Sequence, residues 1–162
     1  MERITLNKPI SNKLSKARIA ALNAIVDIRK NEAFARDVLN KTLNTHVLST
    51  ADRAFAAKLT LGVSQTLGTL DDLIYRCVES PDDIKDNVMD CLRISTYEII
   101  YLEKEPHAAV DQGVELVKAV EPRARGLANL VLRKMVKLKK EFPFGNPDTS
   151  TEAFARIYAI PK

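Results

Sequence analysis

Apolar residues recur at spacings of three and four along most of this chain. Ile19, Leu22, Ile25, Val26 and Ile28 form a first stripe, with Ser15 placed ahead of it as a helix N-cap. A second stripe, from about Glu32 to Asn44, uses Phe34, Val38, Leu39 and Leu43. A third starts at Ser49 or Thr50, where Asp52 favours a helix N-terminus, and runs through Phe55, Leu59 and Val63 to an expected stop at Gly68. A fourth, from Thr69 to about Glu79, carries Leu70, Leu73, Ile74 and Cys77 and is broken by Ser80 and Pro81. From Lys85 to Glu103 the polar positions Asp86, Asp90 and Arg93 make only a narrow stripe in an otherwise apolar circumference, as expected of a helix in the middle of a bundle. Pro106 and Pro122 fit the first turns of a sixth and a seventh helix. Helical periods without a strand pattern predict an all-α bundle of about seven helices.

Beyond Glu141 the period dissolves into Phe142, Pro143, Phe144, Gly145, Asn146, Pro147 and Asp148, which are turn formers. The predicted organisation is a flexible basic leader over 1–14, a helical domain over 15–141, and a linker over 142–162. The linker contains a short amphipathic piece around Glu152 to Tyr158. Phe154, Ile157, Tyr158 and Ile160 then find little to bury against, which is expected of a fragment cut from a longer protein.

Charge is segregated along the chain. The net charge of +4 divides into +5 over 1–50, −6 over 51–120 and +5 over 121–162. If the two basic ends fold beside each other, their fields add into one face that attracts polyphosphate; otherwise each end is simply a solvated basic terminus. No apolar run approaches the roughly 20 residues needed to span a bilayer, and a cytoplasmic location is expected. Cys77 and Cys91 lack partners at metal-ligand spacing and are expected to be small buried apolar residues.

Nothing resembles a catalytic set. His46 and His107 are isolated, and Gly62, Gly68, Gly113 and Gly126 are solitary, so neither a nucleotide nor an S-adenosylmethionine site is expected in this chain. Asp52 and Arg53 are expected to tie two helices together, and Asn129 to bond a neighbouring backbone. The basic residues point to binding instead. Arg18 and Arg29, eleven residues apart, share one angular position on the first helix, with Lys16 and Lys30 close by. On the last helix Arg133, Lys137 and Lys140 follow a spacing of four and three, flanked by Lys134 and Lys139. Arg123 and Arg125 sit at that helix's start, where a cation opposes the macrodipole unless an anion lies nearby. Lys8 and Lys13 add charge in the leader, and Tyr97 and Tyr101 are weak candidates for base stacking. The candidate RNA-binding set is therefore Lys16, Arg18, Arg29, Lys30, Arg123, Arg125, Arg133, Lys134 and Lys137.

Several runs together resemble the NusB-like domain: Ala17-Arg18-Ile19-Ala20-Ala21-Leu22, Asp52-Arg53-Ala54-Phe55, Leu61-Gly62-Val63, and Pro106-His107-Ala108-Ala109-Val110 through Val114-Glu115-Leu116-Val117 to Asn129-Leu130-Val131-Leu132-Arg133. The likeness, over roughly 16–140, is greater to the N-terminal domain of Sun/RsmB-type ribosomal RNA cytosine-5 methyltransferases, whose linker the runs Phe142 to Asp148 and Ala155-Arg156-Ile157-Tyr158 also resemble. The resemblance implies that this part binds and positions ribosomal RNA, a step in rRNA processing. It also implies that S-adenosylmethionine and the reactive cysteines belong to a catalytic half not included here, so this chain alone is not an enzyme. Two alternatives stay open. One is a free-standing NusB-type antitermination factor, binding RNA with a small-subunit ribosomal protein and regulating transcription; the other is a protein-interaction bundle without RNA. The run Asp111-Gln112-Gly113 departs from the family pattern, and a mid-helix glycine costs up to ~1 kcal/mol unless close packing compensates. Ser64-Gln65-Thr66 replaces a stretch often rich in arginine in the methyltransferases.

Overall fold

The computed structural model describes residues 14–31, 34–102, 104–144 and 150–158, apart from the side chains of Phe154 and Tyr158. Of the leader expected over 1–14, residues 1–13 lie outside the described residues, and Leu14 is buried in the core. Seven α-helices and no strands occur among the described residues: α1 (Lys16–Asn31), α2 (Ala35–Leu43), α3 (Thr50–Tyr75), α4 (Asp86–Tyr101), α5 (Pro106–Val120), α6 (Arg125–Leu138) and α7 (Thr151–Tyr158). Short 3₁₀ turns occur at Pro81–Asp83, ahead of α4, and at Pro122–Ala124 and Lys139–Glu141, on either side of α6.

The number of helices matches the expectation, but two boundaries fall elsewhere. The stripes on either side of Gly68 belong to one helix, α3. Leu59, Val63, Thr66, Leu70 and Leu73 keep a continuous four-three spacing, so one buried face runs through the glycine and holds the helix together. Gly68 itself sits over open space. The seventh helix is then supplied by α7, inside the segment expected to be a linker.

Local chemistry explains the ends. Ser49 Oγ accepts the Asp52 N–H at 3.1 Å and opens α3. Arg53 donates to the Leu43 carbonyl at 3.3 Å and to Asn44 Oδ1 at 3.0 Å. It ties α3 to the C-terminus of α2 as expected, although by satisfying the end of a helix and not through an ion pair. Glu105 caps α5 through the N–H groups of His107 (3.1 Å) and Ala108 (2.8 Å), with Pro106 at the first position, and these bonds lower its carboxyl pKa.

α4 stands in the middle, packed on α1, α3, α5 and α6. Val88, Met89, Cys91, Leu92, Ile94, Ile99 and Ile100 are all buried there, in the main core that also takes Leu22, Leu59, Leu70, Leu116 and Leu132. A second, smaller core of Ala17, Ala20, Ala24, Leu39, Leu43 and Ala56 lets α1, α2 and α3 approach closely. Cys77 and Cys91 are buried, and burial pushes both thiols up, so neither is a thiolate near neutral pH.

Two glycines explain themselves by proximity. A Cβ on Gly113 would lie 2.3 Å from Ser95 Oγ and 2.5 Å from Leu132 Cδ1, so the helical cost of this glycine is offset by the close crossing of α4, α5 and α6. A Cβ on Gly62 would enter the Tyr97 ring at 2.1 Å. Gly113→Ala is expected to lose about 1–3 kcal/mol through overpacking, whereas Gly68→Ala gains up to ~1 kcal/mol from helix propensity alone. Urea titration of the two variants checks this; equal effects would contradict the packing argument.

Candidate nucleic-acid interface

The nine basic residues singled out by sequence divide into two groups. Arg18 and Arg29, on α1, turn inward to α4. Arg18 makes a two-pronged ion pair with Glu98, its Nε 2.9 Å from Oε2 and its Nη2 on Oε1, and its guanidinium lies 5.1 Å from the centroid of the Phe55 ring. Glu98 is fully buried. Arg29 Nε donates to Asp90 Oδ2 at 2.9 Å, and its Nη1 reaches Asp86 Oδ2 at 3.6 Å. Asp90, also fully buried, is shared with Arg93, which grips Asp71 at 2.7 and 3.0 Å. Desolvation raises the Asp90 pKa, while its hydrogen bonds and attraction to the two arginines oppose the rise. Arg18 and Arg29 therefore answer the two buried carboxylates of α4, Arg18 in a pair with Glu98 and Arg29 in a network with Asp90, Arg93 and Asp71 that joins α1, α3 and α4. Their place among phosphate contacts has to be given up, since a buried carboxylate stripped of its guanidinium is costly.

The other seven face solvent. Lys16 and Lys30 are exposed at opposite ends of α1, about 21 Å apart at 1.5 Å per residue. Arg123 and Arg125 are exposed on the lead-in and first turn of α6, and Arg133, Lys134 and Lys137 are exposed along it. Among the described residues no carboxylate lies within ion-pair distance of any of these five. The α6 sequence contains no acid, and α6 starts from Ala124 without a side-chain cap or an acidic residue in its first turn, so its positive end is open to an anion. Glu121, just ahead of the preceding 3₁₀ turn, is held by Lys85 Nζ at 2.6 Å, and its pKa is lowered chiefly by the lysine. A groove of about 510 Å³ opens here between Lys85 and Val88 on one side and Arg123 and Leu127 on the other. Gly126 and Leu130 are exposed on α6 between the basic positions, and Asn129 is only half-buried.

The pooling expected of the leading and trailing basic helices is not found among the described residues. α1 packs on α2, α3 and α4, whereas α6 packs on α5, α4 and the edge of α3, so α3 and the acidic α4 stand between the leading and trailing basic helices. Among the described residues, α6 and its lead-in carry the row of exposed cations Arg123, Arg125, Arg133, Lys134 and Lys137. Tyr97 and Tyr101 stack on each other with centroids 5.5 Å apart, and burial pushes Tyr101 up to about 12, so these rings belong to the packing.

The remaining polar candidates are architectural. His46 Nδ1 donates to the Thr42 carbonyl at 2.9 Å, which leaves Nε2 as the acceptor for the buried Asn23 carboxamide at 3.2 Å. Among the described residues no cluster of His, Cys, Asp or Glu could hold a metal ion, and no helix is long and apolar enough to cross a membrane. None of Gly62, Gly68, Gly113 and Gly126 forms a phosphate-cradling loop; all four lie within helices.

Comparison with known proteins agrees with this architecture. The chain is 28% identical over 130 residues to the probable ribosomal RNA small subunit methyltransferase B of Bacillus subtilis, covering 80% of this chain and 29% of that protein. It is 33% identical over 96 residues to ribosomal RNA small subunit methyltransferase B of Escherichia fergusonii, covering 58% and 22%. The chain thus spans under a third of the length of these relatives. Thermotoga maritima NusB superimposes with a TM-score of 0.68 at 20% identity, over 78% of this chain and 92% of that one, which shows a shared fold. With residues 15–137 matching the NusB family model, this chain belongs to the NusB family.

Proposed function

We propose that this chain is the RNA-binding part of an S-adenosylmethionine-dependent ribosomal RNA cytosine-5 methyltransferase of the cytoplasm, and that it positions ribosomal RNA along α6. The observation that carries the reading is the row of exposed cations Arg123, Arg125, Arg133, Lys134 and Lys137, none within ion-pair distance of a carboxylate among the described residues. The relatives of this NusB-family chain named as ribosomal RNA methyltransferases supply the substrate class. Phosphate contacts of this kind give affinity and orientation with little base information. Lys16 and Lys30 are secondary contacts at the ends of α1. The chemistry of methyl transfer, with its cofactor, belongs to polypeptide outside this chain.

Titration against structured ribosomal RNA fragments at several salt concentrations tests the reading. With five phosphates neutralised, log affinity falls against log salt with a slope of about −3.5 to −4.5. A flat response rejects RNA binding. Reading the coding sequence past Lys162 separates the methyltransferase from the free-standing antitermination factor, since several hundred further residues favour the first and an immediate stop codon the second.

A further inference from the structure

We infer that residues 142–144 and 150–158 form a latched strap, with Arg156 as its bolt, that fixes the direction of α7 relative to α6. Its two described parts, 142–144 after the 3₁₀ turn and α7, meet α3 and α4 through side-chain contacts at Asp72 and Tyr101. α7 has eight residues, too few for a helix to persist alone in water, so its helicity depends on what it docks against. Ala153 and Ala155 are buried, and the Tyr101 hydroxyl donates to the Arg156 carbonyl at 2.7 Å.

The Arg156 side chain is 8% exposed, and a guanidinium so withdrawn from water has to be answered on several sides. Its Nη1 donates to the Pro143 carbonyl at 2.8 Å, its Nε lies 3.8 Å from Asp72 Oδ2, and its centre is 5.3 Å from the Phe144 ring. Phe144 and Asp72 are each held twice: Arg76 lies 4.4 Å from the Phe144 ring centroid and 3.4 Å from the Asp72 carboxylate. Phe142 makes edge-to-face contacts with both Tyr101 and Phe144, the ring centroids 5.7 and 6.1 Å apart. Phe144 also has φ 64, a left-handed conformation that a bulky side chain adopts only when its surroundings hold it there. Arg156 thus joins the two ends of the strap to each other and to α3. None of these residues is among the α6 cations, so the inference has its own footing. Only its consequence, that RNA on α6 is held at a set angle to the chain emerging from α7, rests on the proposed function.

Spin labels on Lys134→Cys and Ile157→Cys read the geometry, since Cys77 and Cys91 are buried from labelling. One narrow distance distribution is expected for the otherwise native chain and a broad one after Arg156→Gln. In hydrogen exchange, Arg156→Gln and Asp72→Asn should each speed the α7 amides about 10- to 100-fold while α1 to α6 stay unchanged. A broad distribution before substitution, or α7 protection unchanged in both variants, overturns the strap. These measurements use no RNA, so a chain that fails to bind RNA leaves their outcome intact.

Discussion

Glu98→Gln is expected to destabilise the protein by about 3–5 kcal/mol, the cost typical of removing one partner from a buried ion pair. The Glu98 side chain is fully buried in α4 and the Arg18 side chain only 13% exposed, and glutamine preserves shape while removing the charge that answers the guanidinium. For a chain of this size such a loss lowers the melting temperature by about 10 °C. The cost belongs to the orphaned cation, not to the pair as such. Arg18→Met combined with Glu98→Leu should therefore recover most of the stability, because two apolar side chains of similar volume need no partner. Thermal and urea denaturation of the single and double variants check this. A single variant within about 1 kcal/mol of the parent would mean that water reaches the pair, contrary to its burial.

Reversing charge on α6 should have the largest effect on function. Arg133→Glu with Lys137→Glu is expected to weaken RNA binding by at least about tenfold at 0.1 M salt and to reduce the salt slope by about two, one for each lost phosphate contact. The circular dichroism spectrum and melting temperature should stay unchanged, since both side chains are exposed and no carboxylate among the described residues lies within ion-pair distance of either. Arg18→Glu is no equivalent test: it places a second carboxylate beside Glu98 and is expected to unfold the bundle, so any loss of binding would report on folding. An α6 double variant that binds RNA as tightly as the parent, with the same salt slope, removes α6 as the interface.

Much of the helical order could be read from the pattern of side chains. Pro106 and Pro122 mark helix entries because a missing backbone donor matters least there, and the nearly all-apolar circumference of α4 places it centrally. Gly68 misleads because a glycine can equally end a helix or pass through one; continuity of the buried face decides, and the four-three spacing from Leu59 to Leu73 already ran through it. Arg18 and Arg29 looked like a cationic edge because spacing shows which face a residue shares but not what stands opposite. The missed signal was on α4. Glu98 and Asp90 sit within an apolar circumference, and acids so placed require cations from a neighbouring helix. The α6 cations were legible because their own helix supplies no acid, while the Arg156 cluster joins positions more than eighty residues apart, beyond any local pattern.

The two α1–α4 ion pairs also constrain how the bundle can assemble. Arg18 meets Glu98 and Arg29 meets Asp90, so positions that ascend along α1 descend along α4. Sliding α1 by a single turn, about 5.4 Å, would separate both pairs at once, leaving the buried Glu98 without its arginine and the buried Asp90 with Arg93 alone. Apolar ridges alone tolerate such slippage far better. The pairs thus act as an alignment key that penalises misassembled intermediates, and exchanging arginine and carboxylate at both positions together would create a second lock compatible only with itself.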